Sequence, residues 1–186
     1  ESAQIVSDQL TAVWNNFYDG SQSLEHYADA MVALGAATAS SSDEIAGGLE
    51  KFASIADMIG LSFDYAASAL ATITATTRQS EDVVGTALKT IYARMGDLSI
   101  EGGTDEFGVG LGEVSGQLEQ VGIHILDDNN NLRDMGTIIE EVAKKWQGWT
   151  EAQQQSVAIA IAGKRQYNNL MSLFNNWDMY TDALNT

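Results

Sequence analysis

The chain of 186 residues contains no proline. Average usage of about 5% would place roughly nine prolines in a chain of this length. Because proline interrupts helices, its absence leaves most of the chain free to be helical. Apolar residues recur at helical spacing, and Gly, Ser and Thr mark the breaks. Capping boxes are predicted at Ser41 with Glu44, Thr137 with Glu140 and Thr150 with Gln153. The sequence predicts a mainly α fold, a compact multi-helix domain of helical hairpins.

One segment departs from this pattern and predicts a small β-hairpin. Val121, Ile123 and Ile125 alternate with other residues, and Leu132 begins the return after a turn rich in Asp and Asn. The turn has oxygen-bearing side chains at the first, third and fifth positions of an EF-hand loop. However, Leu132 occupies the place that needs Gly, and Ile138 the place that needs Glu. Asx turns therefore explain this segment better than a calcium loop does.

Glycines and acidic residues divide the chain into parts. Residues 99–116 contain six glycines and four acids and are predicted to be a Gly-rich loop without regular structure. This loop separates a first helical half, 41–98, from residues 117–186, which hold the β-hairpin and a second helical half. Residues 1–40 are predicted to be an N-terminal helical segment, and 41–186 one domain. Because the chain opens without Met and stops inside a helical pattern, we expect an excerpt of a longer chain.

Charge and cysteine content argue against several classes of function. Twenty-six acidic and nine basic side chains give a formal net charge of −17, which repels phosphate backbones, so no direct nucleic-acid binding is expected. The absence of cysteine removes disulfides, thiolate catalysis and cysteine-based zinc sites. The longest apolar run is far shorter than the ~20 residues of a membrane span. We therefore expect no membrane span in this segment.

No arrangement of titratable residues predicts catalysis. The two histidines, His26 and His124, have no serine, aspartate or metal partner at a diagnostic spacing. Glu140 and Glu141 are adjacent, and adjacent helix positions point in different directions, whereas a glycosidase needs carboxyls that face one cleft. We expect no enzymatic activity, no cofactor and no metal site.

Three of the nine basic side chains fall within residues 76–95. Ser80 is the predicted N-cap of a helix in this stretch, and Lys89 and Arg94 lie in its later turns, where the helix dipole favours cations. The expected role of these two residues is that of ordinary surface charges. Arg78 precedes the helix and is not explained in this way.

A weak internal repeat suggests a role for Arg78. Residues 48–80 and 136–168 both run helix, Gly, Ser or Thr cap and Ala-rich helix, and both then reach a basic residue followed by Gln. Duplication and chance similarity between Ala-rich helices both remain open. We predict that the two bends are held by arginines that donate hydrogen bonds to helix C-terminal carbonyls. The predicted structural anchors are Arg78, Gln79, Arg165 and Gln166.

Aromatic residues near helix ends supply further candidates. Trp146 is predicted to be a core anchor at the end of a helix. Trp177 and Tyr180 lie close to the C-terminal edge of the chain together with Met179. A half-exposed aromatic group there would be an assembly contact, and core packing is the alternative.

Three blocks of the sequence, in order, resemble a known family. They are "TATTRQSEDVVGTALKTIYARM", "LEQVGIHILDDNNNLRDMGTIIEEVAKKW" and "TEAQQQSVAIAIAGKRQYNNLMSL". Over about residues 45–175 the chain is similar to the core region of tail tape measure proteins from long-tailed bacteriophages and related prophages. The first 40 residues carry little of this similarity.

The resemblance implies a structural protein of the virion tail. Proteins of that family set tail length during assembly, run inside the tube lumen and are released ahead of DNA at infection. The implied partners are tail tube and tail-tip proteins and tail assembly chaperones, with a homo-oligomer of the full-length protein. The resemblance also implies assembly in the cytoplasm of the bacterial host and delivery into the host at infection.

Two other classes remain open at this point. Trp146, Gln147 and Gly148 form a W-x-G turn between predicted helices, as in small secreted WxG-type helical-hairpin proteins. No Tyr is followed four positions later by Asp or Glu, however, and the export signal of that family resembles such a pattern. A generic helical adaptor module is the second class, which oligomer size and co-purification with tail proteins would separate from a tail component.

Overall fold

Helices account for most of the protein, as the absence of proline predicts. The computed structural model describes residues 11, 13–18, 20, 22–38, 40–98, 103–104, 108 and 110–185. Helix α1 includes the helical residues 13–17. The helices that follow are α2 (Leu24–Ala37), α3 (Ser42–Met58), α4 (Phe63–Thr77), α5 (Glu81–Asp97), α6 (Leu111–Gln120), α7 (Met135–Trp146), α8 (Glu151–Ala162), α9 (Tyr167–Asn175) and α10 (Trp177–Leu184). The mainly α class is confirmed.

Two of the predicted capping boxes are present, at the N-termini of α3 and α8. The Ser41 hydroxyl accepts from the Glu44 N–H at 3.2 Å, and the Glu44 carboxylate accepts from the Ser41 N–H at 3.0 Å. Thr150 and Gln153 make the same reciprocal pair at the start of α8. These caps satisfy backbone donors that the first helical turn leaves without partners.

The predicted box at Thr137 is wrong. Helix α7 starts earlier, because Asp134 accepts hydrogen bonds from both the N–H and the hydroxyl of Thr137, each at 2.9 Å. Asp134 is the N-cap of α7. Glu140, the other member of the predicted box, accepts a hydrogen bond from the Tyr65 hydroxyl at 2.9 Å.

Helix α4 is the centre of the packing. Every residue from Ala66 to Thr74 is buried, and α4 packs against α2, α3, α5, α9 and α10. Because most of these side chains are small and none is charged, several helices can approach α4 closely. The buried residues form a core that extends from Val13 to Tyr180.

Helices α3 and α5 cross at a pair of glycines. A Cβ added to Gly85 would lie 2.4 Å from the carbonyl oxygen of Gly48, and a Cβ added to Gly48 would lie 2.9 Å from the carbonyl oxygen of Glu81. The two backbones are therefore in contact, with no room for a side chain between them. Near this crossing the Ser40 hydroxyl donates to the Glu81 carboxylate, which is itself buried.

The predicted β-hairpin is wrong. Within the described residues there is no strand in this region, and a single antiparallel bridge joins Leu126 to Leu132. Ile123 and Ile125 are both fully buried, so the alternation was a signal of burial and not of sheet pairing. Helix α7 follows its N-cap Asp134 directly, so the returning segment is too short for a ladder of several residue pairs.

The turn of this segment is an Asx turn, as the sequence indicated. One carboxylate oxygen of Asp127 accepts hydrogen bonds from the N–H groups of Asn129 and Asn131, both at 2.9 Å. Asn130 adopts a left-handed backbone conformation with φ 60°. Asn tolerates this conformation better than most residues do, so the Asn-rich sequence accounts for the turn.

The predicted Gly-rich loop, residues 99–116, overlaps the first turns of helix α6, which is a correction to the sequence analysis. Residues 99–102, 105–107 and 109 lie outside the described residues, but helix α6 begins at Leu111. Leu111, Val114 and Leu118 form a buried stripe at helical spacing, and this burial outweighs the low helix propensity of glycine at 112 and 116.

The C-terminal region consists of two helices, α9 and α10. Asn176 has φ −121° and ψ 37°, which is not helical, and it separates α9 from α10. Its side-chain amide donates to the carbonyl of Ser172 at 2.8 Å. The break lets α10 return against the central helix α4.

Candidate functional site

Arg94 donates a hydrogen bond to a carbonyl at the C-terminal end of a helix. Its Nε atom donates to the carbonyl oxygen of Ala160, in the last turn of α8, at 3.2 Å. The cation thus lies at the negative end of the α8 dipole. Helices α5 and α8 pack against each other at this point. The sequence placed Arg94 among ordinary surface charges, because nothing in the local pattern showed that α8 would end beside it.

Arg94 is part of a groove that gathers three basic side chains. The groove has a volume of about 530 Å³, and Lys89, Arg94 and Arg165 line it together with Asp97. Lys89 and Arg165 are exposed. The structure therefore brings together residues of the predicted basic stretch and one of the predicted anchors, in a protein whose net charge is strongly negative.

Arg78 lies elsewhere and does not join this groove. It is the C-cap of α4, with φ 60° and ψ 21°, and its N–H donates to the Thr74 carbonyl. Its side chain is exposed and, within the described residues, makes no hydrogen bond to a carbonyl. Gln79 is also exposed, and its N–H donates to the Thr77 hydroxyl at 3.4 Å. At this bend the N–H groups of Arg78 and Gln79 donate hydrogen bonds to the Thr74 carbonyl and the Thr77 hydroxyl.

Gln166 occupies the bend between α8 and α9. It is the N-cap residue of α9, and its side-chain oxygen accepts from the side-chain amide of Asn169 at 2.9 Å. Asn169 is buried, so this bond satisfies a polar group that has left water.

Trp146 lies in the core at the C-terminal end of α7. Its side chain is 1% exposed, and its indole N–H donates to the Asn175 side-chain oxygen at 2.9 Å. The Gln154 amide donates to the Trp146 carbonyl at 2.7 Å. Trp146 thereby connects α7 with both α8 and α9, and its ring packs against Phe174 at a centroid distance of 4.9 Å.

The aromatic rings continue from Trp146 towards the C-terminal helix. Phe174 stacks on Trp177 at 6.0 Å, Trp177 on Tyr180 at 4.3 Å, and Tyr180 on Tyr65 at 6.4 Å. Tyr180 is 2% exposed, so its ring offers almost no free surface to a partner. Trp177 is half-buried, and the neighbouring Met179 is 43% exposed. Of the two aromatic residues predicted as assembly contacts, only Trp177 retains accessible surface.

Burial and a carboxylate alter the titration of two of these tyrosines. The hydrogen bond to Glu140 and burial raise the pKa of Tyr65 to about 12. Burial raises the pKa of Tyr180 well above its usual range. Both phenols therefore stay neutral across the physiological range.

Arg133 and Glu141 form a bidentate ion pair that the sequence analysis missed. The guanidinium donates to both carboxylate oxygens, at 2.7 and 2.9 Å, and also to the His124 carbonyl at 2.9 Å. This hydrogen bonding lowers the pKa of Glu141 and raises the pKa of Arg133. The pair ties the segment before α7 to that helix, which fixes the Asx turn in place.

The histidines and paired carboxylates considered in the sequence do not converge on a metal site within the described residues. No group of three or more His, Asp or Glu there could hold a metal ion. Glu140 and Glu141 have separate partners on different elements. His26 contacts the Asp64 carboxylate at 2.9 Å. Among the same residues, no helix is both long and apolar enough to cross a membrane.

A known protein family matches most of this chain. No solved structure matches the chain. Residues 1–163 match the family described as phage-related minor tail protein, which is most of the 186 residues. The matched range contains the whole of the central helix α4. It also contains the residues of α5 and α8 that line the groove with Lys89, Arg94 and Arg165. The chain therefore belongs to the phage-related minor tail protein family and is a structural component of a phage tail.

Proposed function

We propose that this chain is a folded segment of a tape measure protein, which sets tail length during assembly, occupies the tube lumen and leaves ahead of DNA at infection. The observation that carries the proposal is the order of the three sequence blocks that resemble tape measure proteins. Two of these blocks lie wholly within the range that matches the minor tail protein family, and the third begins within it.

The packing supports a particular place for this segment within the proposed ruler. A ruler needs extended helix, which adds length at ~1.5 Å per residue. Here the longest described helices, α3 and α5, have 17 residues each and fold back on their neighbours. The segment is therefore proposed to be a compact body near one end of the tube, and its negative charge would keep passing DNA from adhering.

Tail length is the quantity that tests this proposal. In-frame deletions in the full-length gene, outside the region that encodes residues 1–186, should shorten tails by about 1.5 Å for each helical residue removed. In-frame duplications of the same stretches are the matched control and should lengthen tails by the same increment. Electron micrographs of purified particles give the lengths. Tails of unchanged length in both series would contradict the ruler function.

A tail protein of this family interacts with other tail proteins, and the proposal names which. Tail tube proteins, tail-tip proteins and tail assembly chaperones should co-purify with the full-length protein, which we propose forms a homo-oligomer. A secreted WxG-type protein or a generic adaptor would instead purify without tube proteins. Light scattering on the purified complex measures the oligomer size.

A further inference from the structure

A long groove lies between α2 and α10, with α4 as its floor. Both helices pack against α4. One part of the groove has a volume of about 410 Å³ and a smaller part about 40 Å³, and both are lined by Ala33, Leu34 and Ala183. On α4 the lining residues are Phe63, Asp64, Ala67, Ser68, Ala71, Thr72 and Ala75.

The α4 residues that line the two parts of the groove lie on one face of that helix. From Asp64 to Ala75 the lining positions follow the i, i+3, i+4 pattern of a single helical face. Eleven steps of ~1.5 Å give a floor about 16 Å long, which is three helical turns. The volume of the larger part falls in the range of about 300–1,000 Å³ that is usual for ligand sites.

A buried hydroxyl in the floor has no partner. Thr72 is 0% exposed, and its Oγ1 atom makes no hydrogen bond within the described residues. Thr76 and Thr77, on the same helix, donate to the carbonyls four residues earlier, at 2.8 and 2.7 Å. Thr74 Oγ1 is buried without a partner in the same way, and because protein atoms cover both hydroxyls, neither is a contact for a group bound in the groove.

The walls of the groove carry charge of one sign. Helices α2, α4 and α10 contain no Lys or Arg. Their acidic residues are Glu25, Asp29, Asp64, Asp178 and Asp182. Asp182 lines the groove, and Asp178 lies one turn before it on the same helix. An occupant with basic flanks is therefore favoured electrostatically, and a second copy of this acidic chain is disfavoured.

We propose that the groove between α2, α4 and α10 binds an amphipathic α-helix of another tail protein, with Lys or Arg on both flanks of a small-residue apolar stripe. The alanines of the walls let a helix backbone approach closely, and the apolar stripe covers Met179 and Ala75. The inference rests on the family assignment and not on tail-length control.

Designed peptides of about 18 residues, five helical turns, test the charge rule on the purified 186-residue protein. One panel has an Ala/Leu/Ser stripe with lysine flanks in several registers, and the other has the same stripes with glutamate flanks. Fluorescence anisotropy should show binding of at least one lysine peptide, weakened by salt, and no binding of the glutamate peptides. Failure of every lysine peptide, or equal binding of both panels, would overturn the proposal.

Two tryptophan variants locate the binding surface. Ala37 lines the groove, whereas Ala36, the adjacent exposed residue of α2, does not. Ala37→Trp should weaken peptide binding by about tenfold or more, equivalent to ~1.4 kcal/mol, and Ala36→Trp should leave it unchanged. Circular dichroism melting shows that both variants are folded. Equal effects of the two substitutions would refute the assignment of the groove.

Methionine methyl signals give a readout independent of mutation. Met179 lines the groove at 43% exposure, and Met58 on α3 is 80% exposed and does not line it. Peptide binding should shift the Met179 methyl resonance and leave that of Met58 in place. If light scattering instead shows a dimer that Ala37→Trp dissociates and Ala36→Trp does not, the occupant is a second copy and the basic-helix proposal is wrong. Tail-length measurements are unaffected by either outcome.

Discussion

The crossing of α3 and α5 makes Gly85→Ala the most informative stability variant. The new Cβ would lie 2.4 Å from the Gly48 carbonyl oxygen, whereas ordinary van der Waals contact begins near 3.4 Å. The Cβ is bonded directly to the α5 backbone and the oxygen belongs to the α3 backbone, so no side-chain rotation can relieve the overlap. The helices must separate locally by about 1 Å, the difference between these two distances.

The cost of that separation can be bounded. A gap of this size forfeits roughly a quarter to a half of the dispersion energy of each affected contact, and overpacked cores lose about 1–3 kcal/mol. We place Gly85→Ala at the upper end, because α3 and α5 form the most extensive helix pair. Alanine regains about 1 kcal/mol of helix propensity. The expected net loss is about 2 kcal/mol, or roughly 4–8 °C in Tm for a protein of this size.

Two glycines in α6 provide control variants that are expected to raise the free energy of unfolding instead of lowering it. Nothing lies within 4 Å of a Cβ added at Gly112 or Gly116. Either alanine substitution should therefore stabilise the protein by about 0.5–1 kcal/mol through helix propensity alone. Thermal and urea unfolding followed by circular dichroism measure all three variants. If Gly85→Ala raised Tm as Gly112→Ala does, the close backbone contact would be absent in solution.

Two further predictions concern charged side chains. Arg78 has φ 60° and an exposed side chain. Arg78→Gly should therefore stabilise the protein by up to ~1 kcal/mol, because glycine adopts the left-handed conformation without strain, whereas Arg78→Ala should change Tm little. A large decrease in Tm for Arg78→Ala would support the side-chain anchor predicted from the sequence. Arg133→Ala should cost about 0.5–1 kcal/mol at neutral pH, measured by urea unfolding. Because Arg133 lowers the folded pKa of Glu141 below its ordinary value of 4.5, the contribution is complete above that value and is lost as pH falls through the folded pKa. A difference between wild type and Arg133→Ala that persists unchanged in acid would contradict the ion-pair assignment.

Local chemistry explains which elements could be predicted. The caps at Ser41 and Thr150 are decided by residues three positions apart, so the sequence contains all the information they need. The Asx turn at Asp127 is local in the same sense. The β-hairpin failed because alternating burial at Ile123 and Ile125 looks the same whether the neighbour is a strand or a helical core.

The candidate sites depended on distant contacts and were therefore harder to predict. Arg94, which was not one of the predicted anchors, donates a hydrogen bond to the carbonyl of Ala160, 66 positions away in the sequence. The contact of Arg133 with Glu141 spans eight positions and crosses a turn, which no helical spacing rule covers. Tyr180 was one of the candidate assembly contacts, but it is buried because the chain breaks at Asn176 and α10 packs against α4.

The sequence by itself determined that this protein is helical and acidic and that helices are capped at Ser41 and Thr150, because propensity, charge and these caps are set by single residues and near neighbours. Only the tertiary structure decided three features. The backbones at Gly48 and Gly85 are in contact, Arg94 donates to a carbonyl in the last turn of α8, and a groove lies over α4 between α2 and α10. Such contacts follow from how whole helices pack. Packing minimises the free energy of many side chains at once, so no short stretch of sequence specifies it.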